Sequence, residues 1–562
     1  MNIRTSSPRS ALPRPPEMTA APPGDWWREA VCYQVYPRSF QDSNGDGIGD
    51  LEGIIRRLDY LNDGTPRSLG VDAIWLSPTF PSPMADFGYD VSDYCDVHPD
   101  FGTLETMDRL VAECHQRGIR VLLDWVPNHT SDRHLWFLAS RSSRANPKRD
   151  WYIWRDPKPD GSPPNNWRSV FGGPAWTFDE ATGQYYLHSF LKEQPDLNWR
   201  NPEVEAAMLD TLRFWFERGI DGFRIDVIGR ILKHPDLPDN PPNPDWRPGD
   251  RERFSQIWIH NHNYPDVFAE VQRIRRVFDE YPGRVAVGEV FGTPEEIARF
   301  YGTQDAPGLH LAFNFHFIHE QGHVITPWEA PTLRRIIANA EATVPPFSQP
   351  CFALNNHDRS RFVTRHNHDG RGAERARAAA LLLLGLRNTP FIYYGEEIGM
   401  ADVDIPPERQ QDPARFRSIG RDPERTPMQW DATPGRGFTT GEPWLPFGPV
   451  SPNVAEQDGD PDSLLSLYRR AIWLRKDLPA LRLGALADLA GDDRTVTWTR
   501  RAPDTPPVAV AINTSTDAVT ARLPFEAGRV ALCTDRSRDG ARVSGGAVEL
   551  PPLGAAWVIA GF

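Results

Sequence analysis

Short apolar runs rich in Val, Ile, Leu and aromatic residues recur along the chain, separated by longer stretches in which apolar residues return every three or four positions. Eight such runs stand out: VCYQVYP (31–37), DAIWLSP (72–78), RVLLDWVPN (120–128), GFRIDVI (222–228), RVAVGEV (284–290), HLAFNF (310–315), CFALNN (351–356) and PFIYYG (390–395). Between them, 51–61, 104–117, 203–218, 267–281, 333–343 and 373–387 carry the spacing of amphipathic helices. Strands alternating with helices in this way read as βα units, and eight of them close most simply into a (β/α)8 TIM barrel. A doubly wound open sheet is the competing arrangement. It expects a Gly-rich phosphate loop after the first strand, and VCYQVYPRSF leads into none.

The alternation breaks twice. After the third run, 130–198 is crowded with Trp136, Trp151, Trp154, Trp167, Trp176, Tyr152, Tyr185 and Tyr186, and so long a connection is either functional or a small inserted domain. After the fourth, 234–266 is rich in Pro and Asn (PDLPDNPPNPDW) and is expected to overhang the same barrel mouth. From 489 onward the period changes to strict alternation (TVTWT, VAVAI, VELPP, AWVIA), the mark of an antiparallel β-domain. The chain therefore divides into an N-terminal extension (1–24), the first part of a barrel (25–129), an inserted domain (130–198), the rest of the barrel (199–488) and a C-terminal β-sandwich (489–562).

Composition narrows the partners. With 76 acids against 62 bases and a net charge of −14, the chain has no electrostatic footprint for nucleic acid or an anionic membrane, and no run approaches the roughly 18 apolar residues of a membrane span. Five scattered cysteines fit reduced thiols better than a disulfide framework, and no CxxC pair points to zinc. The Pro-, Ser- and Arg-rich start lacks the apolar core of a signal peptide, so it reads as disordered and the cytoplasm as the compartment; Met18 is an alternative start nearer the fold. Monomer and homodimer remain equally open. The 19 Trp and 55 Pro suggest rigid loops around a site for flat-faced ligands, although most Trp are packing residues.

In such a barrel, catalytic groups cluster at the C-terminal ends of strands. Asp226 ends GFRID, Glu289 ends VAVGE and Asp358 follows CFALNNH. One such acid alone reads as a helix cap or a loop charge. Three on neighbouring strands read as a site, because adjacent strand ends lie about 5 Å apart, near the roughly 5 to 5.5 Å separation of a retaining glycosidase's carboxylates. Arg224, two residues before Asp226, faces the same way by the period of two and can hold it as a carboxylate, while the partner acid must keep a proton for the leaving oxygen.

These segments resemble the α-amylase superfamily, glycoside hydrolase family 13, from about Trp26 to the C-terminus. The motifs run in the family's order: YQVYPRSFQDSNGDGIGDL (33–51), GYDVSDY (88–94), DWVPNH (124–129), GFRIDVI (222–228), VGEV (287–290) and NNHD (355–358). The resemblance implies Asp226 as nucleophile, Glu289 as general acid and base, and Asp358 as the acid that holds sugar hydroxyls in the transition state. It further implies that His129 and His357 bond sugar hydroxyls, and that Asp90 pairs with Arg425 of RTPMQWD to grip the terminal glucose; a plain surface ion pair is the other reading of those two. Tyr89 and Phe190 are weaker candidates for sugar contact.

Asp42, Asn44, Asp46 and Asp50 alternate in DSNGDGIGD, with the Ile48 carbonyl in step, as in a loop that offers oxygens to a hard cation. The EF-hand's closing Glu is absent, since Gly53 stands there, and a simple Asp/Asn/Gly turn is the alternative. Resemblance places a structural Ca2+ or Mg2+ in this loop and no cofactor in the reaction.

The function expected is a retaining, exo-acting α-glucosidase working on the non-reducing end of maltose, isomaltose and other short α-1,4 or α-1,6 oligosaccharides, with transfer to another sugar as a second outcome. A glucosyltransferase or maltose-trehalose isomerase of the same superfamily needs the same acids and is the alternative. An endo-amylase would need an open cleft. Non-catalytic transporter relatives have a membrane helix and damaged motifs, and this chain has neither. For linkage, Val227 after the nucleophile resembles α-1,6 enzymes, whereas DNPPNPDWRPGD (239–250) resembles a bacterial subgroup that accepts short α-1,4 substrates; mixed specificity is expected.

Overall fold

The computed structural model describes residues 24–320, 324–416 and 420–561; the expected disordered extension falls almost wholly outside them. All eight runs form strands: Cys32–Val35, Ala73–Leu76, Arg120–Trp125, Gly222–Ile225, Val285–Gly288, Leu311–Asn314, Cys351–Ala353 and Thr389–Tyr393. Each pairs in parallel with its neighbours, and the last returns to the first (Cys32 beside Phe391), closing the barrel. Inward-facing Trp75, Leu122, Val287, Phe313 and Phe391 pack in its centre. The helices follow the expected segments, with Leu104–Gln116 and Pro202–Glu217 started by the Thr103 and Asn201 side chains accepting backbone N–H groups. The segment read as one helix at 51–61 is two, Leu51–Arg56 and Leu58–Leu61.

The insertion holds a three-stranded antiparallel sheet, Trp154–Arg155, Gln184–Leu187 and Trp176–Asp179 in that spatial order. Its aromatics mainly pack on one another: Trp136 lies 4.9 Å from Trp151, and Trp154 lies 5.5 Å from Tyr186. The Pro-rich stretch after the fourth strand docks on it, through Trp167 Nε1 to the Pro238 carbonyl (2.8 Å) and Asn165 Nδ2 to the Leu237 carbonyl (2.9 Å).

An eight-stranded antiparallel sheet, from Ala485–Gly491 to Ala555–Ala560, ends the chain. Helix Gly372–Gly385 lies between it and the barrel. Its Leu381, Leu382, Leu383 and Leu384 are all buried, so the C-terminal part of a segment read as amphipathic is apolar all round because it has a partner on each side. Trp557 Nε1 donates to the Leu381 carbonyl (3.1 Å) and Trp498 Nε1 to that of Gly385 (3.2 Å). The buried Arg475 donates to the Leu384 and Leu386 carbonyls (2.7 and 3.1 Å), where the helix dipole favours a cation.

Candidate active site

Register builds the site. Asp124 pairs with Arg224, and Arg224 with Val287, across the third, fourth and fifth strands. One step beyond, the Asp226 amide donates to the Trp125 carbonyl and the Glu289 amide to that of Ile225, each at 2.8 Å. Gly288 lets the Leu309 side chain close onto the fifth strand: a Cβ there would stand 2.2 Å from Leu309 Cδ1. Asp226 and Glu289 thus emerge side by side from adjacent strands.

Arg224, 2% exposed, is the hub. Its Nη1 donates to Asp226 Oδ1 (2.8 Å) and Asp124 Oδ1 (2.7 Å), and its Nη2 lies 2.7 Å from Glu289 Oε2. One guanidinium fork bridges two carboxylates only when they stand a few ångströms apart, the regime of the roughly 5 to 5.5 Å used for double displacement. Glu289 Oε2 also accepts the Val227 amide (3.1 Å), and Val227 takes a left-handed backbone (φ 35°, ψ 44°). For a β-branched residue that conformation is strained, and here it turns the amide toward the second acid. Burial pushes the Asp226 carboxyl well up; Arg224 opposes the shift, and Glu289, Asp124 and Asp358 add to it. The expected fixed charge on Asp226 is therefore poised against a strong tendency to hold a proton, and Arg224 is what counters that tendency.

Asp358 completes the acids. Its Oδ1 accepts from Arg421 Nη1 and Arg425 Nη2, both at 3.1 Å, and burial is outweighed by His357, Arg421, Arg425 and Arg224, which hold this carboxyl far below the usual range. Gln34 Nε2 donates to His357 Nδ1 (2.8 Å), which leaves the hydrogen on Nε2, 2.6 Å from the Tyr89 hydroxyl and 3.4 Å from Asp358 Oδ2. Burial lowers His357 to about 3 and His129 to about 4, so both rings are neutral near pH 7. His129 Nε2 reaches the Tyr89 carbonyl (3.1 Å).

The expected Asp90–Arg425 pair is not formed. Asp90, fully buried, accepts from the Ser82 hydroxyl (2.8 Å) and from the Asp86 and Ala85 amides (2.9 Å each), so both oxygens brace their own loop. Arg425 sits behind Asp358 and donates to the His357 carbonyl (2.7 Å). The ion pair across the pocket is instead Asp86 with Arg421 (2.5 Å), and Arg421 also holds Asp412 (2.6 Å). Asp124, Asp86 and Arg421 are the residues sequence reasoning left out, and Tyr89 was read only as a weaker sugar contact. Asp124 was readable as the strand-end acid in register with Arg224, and Asp86 and Arg421 as a second acid and arginine four residues before the pair chosen.

In the loop 42–50, Asp42 Oδ1 accepts the Asn44 and Gly45 amides (2.9 and 2.7 Å), Asp46 Oδ1 the Ile48 amide (2.8 Å), and Asp50 the Ser43 and Gly53 amides (3.0 and 2.6 Å). Among the described residues no three acid, imidazole or thiol side chains gather as a metal cluster. Among the described residues no disulfide joins the five cysteines, and no described helix is long and apolar enough to cross a membrane.

A closed parallel barrel with two carboxylates bridged by one arginine, and a third acid above them, defines a barrel glycoside hydrolase. The chain belongs to the α-amylase family: the model described as "Alpha amylase, catalytic domain" matches residues 34–484. It is similar to a probable α-glucosidase of Rhizobium meliloti (strain 1021), 44% identical over 90% of this chain and 92% of that one. It is also similar to an oligo-1,6-glucosidase of Heyndrickxia coagulans, 40% identical over 90% and 95% of the two chains. A crystal structure of an α-glucosyl transfer enzyme superposes with a TM-score of 0.87 at 40% identity, over 95% of this chain and 99% of that one.

Proposed function

We propose that this protein is a retaining, exo-acting α-glucosidase that releases glucose from the non-reducing end of short α-1,4- and α-1,6-glucosides. The observation that carries this reading is the Arg224 fork on Asp226 and Glu289, in a pocket crossed by the Asp86–Arg421 pair. Asp226 attacks the anomeric carbon as Glu289 protonates the departing oxygen, and water, deprotonated by Glu289, then releases glucose with its α configuration kept. Transfer to a second sugar uses the same intermediate, and the likeness to an α-glucosyl transfer enzyme favours it as an accompanying reaction. Val227 directly after the nucleophile supports α-1,6 acceptance, as does the likeness to an oligo-1,6-glucosidase.

The test is a time course on maltose, isomaltose, sucrose and trehalose separately, with products and anomers followed by NMR. α-Glucose from maltose or isomaltose is expected. Trehalose formed from maltose with little free glucose would replace the reading with an isomerase, and no turnover would end it. Arg421→Ala is expected to raise KM for disaccharides about tenfold or more, since it removes the partner of both Asp86 and Asp358; Asp90→Asn is expected to act on stability instead.

For the loop 42–50, the donor chemistry supports Ca2+ or Mg2+ held through the lone pairs that its turns leave free on Asp42, Asn44, Asp46 and Asp50, with the Ile48 carbonyl. Burial of Asp42 is outweighed by hydrogen bonds from Thr439, Gly45, Gly47 and Asn44, which hold it as the anion a cation requires. Saturating Ca2+ is expected to raise the thermal midpoint by about 2 °C or more over EDTA, and Asp46→Ala to abolish the difference. An EDTA-insensitive midpoint would leave the loop a plain turn. Five scattered cysteines without a disulfide among the described residues support a reducing compartment, the cytoplasm.

A further inference from the structure

Arg230 lies four residues after the nucleophile, in the short turn Ile228–Arg230, and none of the reaction steps uses it. It is 6% exposed, and its guanidinium makes no side-chain hydrogen bond or salt bridge to any described residue. Its contacts are aromatic: the group stands 4.3 Å from the Trp258 ring centre and 5.8 Å from that of Phe190. Phe190 in turn lies 5.1 Å from the His129 ring, so this is the pocket wall. A buried guanidinium with its donors unused is costly unless something accepts from it.

Arg230 is not alone. Arg253 acts electrostatically on Arg230, Arg251 and Arg359, and two of its nitrogens, Nε and Nη2, are buried without a partner while Nη1 donates to the Val170 carbonyl (3.2 Å). Arg359 follows Asp358 directly and lies in the field of Glu289, as Arg230 does. A chain with 14 more acids than bases thus gathers like charges at one end of its site. The acids facing Arg230 are Asp196, which Lys233 holds at 2.8 Å, and Glu289; those facing Arg359 are Asp358, Glu424 and Glu289.

Position says which part of the substrate they meet. Glu289 must touch the oxygen that leaves, so cations in its field surround the departing group, whereas the glucose end is crossed by Asp86 and Arg421. We infer that the subsite for the departing or accepting group is built for an anion, a carboxylate or phosphate carried by the aglycone or acceptor, bound by Arg230 with Arg253 and Arg359 and flanked by Trp258. This rests on the α-glucosidase reading and names its substrate class. Burial lowers Arg230 to about 10, which still leaves it charged near pH 7. The bond chemistry is unchanged: the anomeric C–O bond breaks, Glu289 supplies the proton, and the anionic alcohol leaves.

The experiment compares maltobionate with maltitol, which differ by a carboxylate in place of a hydroxymethyl group on the aglycone, and maltose 6-phosphate, phosphorylated on the reducing glucose, with maltose. In the wild type the charged member of at least one pair is expected to have about tenfold or higher kcat/KM, with the preference falling as NaCl rises. The favoured pair tells carboxylate from phosphate. Arg230→Gln is expected to reduce that ratio toward one, and Arg230→Lys to restore part of it. Equal kcat/KM within both wild-type pairs overturns the inference, as does an Arg230→Gln loss shared alike by charged and neutral members, which is the mark of packing. Turnover of the neutral sugars without an anion preference defeats this inference alone, whereas failure on every sugar defeats the α-glucosidase reading. Calorimetric binding of gluconate against sorbitol, in wild type and Arg230→Gln, reads the subsite without turnover; equal binding of the two also overturns it.

Discussion

Asp226→Asn is expected to lower kcat by about four orders of magnitude while leaving the fold intact, because an amide of nearly the same volume cannot form the glycosyl bond. Its effect on stability is as informative. The folded protein raises the Asp226 carboxyl, through burial first and then through Glu289, Asp124 and Asp358 against Arg224. A group raised on folding contributes stability below its unfolded pKa and loses it as pH rises through the folded one. The wild type is therefore expected to unfold at a lower temperature than Asp226→Asn at neutral pH, with the gap closing in acid. Thermal midpoints of both across pH check this. Wild-type turnover in the variant would remove Asp226 from the mechanism.

Arg224→Met carries the second large effect. The guanidinium holds Asp124, Asp226 and Glu289 within 2.8 Å, and taking it away leaves buried carboxylates facing one another. A loss of about 3 to 5 kcal/mol is expected, as for breaking other buried pairs, together with near-complete loss of kcat. Arg224→Lys keeps a charge but not the fork. It is expected to fold better than Arg224→Met and to show an acidic limb of its pH–rate profile moved upward, because Asp226 then loses part of what keeps it ionised. A profile superposable on the wild type would place the hub elsewhere.

The barrel was legible because each strand is a short apolar run bounded by turn residues, and the three acids because they end such runs. The two-sided burial of 372–385 was hidden, since its second partner lies over a hundred residues further on. The choice between Asp86 and Asp90 was hidden for a related reason. Both sit in one loop, and only the fold shows that Asp90 turns onto the amides of Ala85 and Asp86 while Asp86 reaches an arginine 335 residues away. The alternating oxygens of the loop 42–50 were visible, but their orientation onto neighbouring amides belongs to the folded turn. Arg230 carried no signal, because an arginine after a catalytic strand looks like a surface charge until its burial and missing partners are seen.

The helix between barrel and β-domain bears on how the molecule comes into being. The ribosome releases all eight barrel strands before it has made the sheet that covers Leu381 to Leu384, and the indole that caps the Leu381 carbonyl arrives 176 residues after it. Until then the nascent barrel carries a greasy, unroofed flank on the helix that joins its seventh and eighth strands. The sheet from Ala485 to Ala560 thus roofs this helix only after all eight barrel strands have been made.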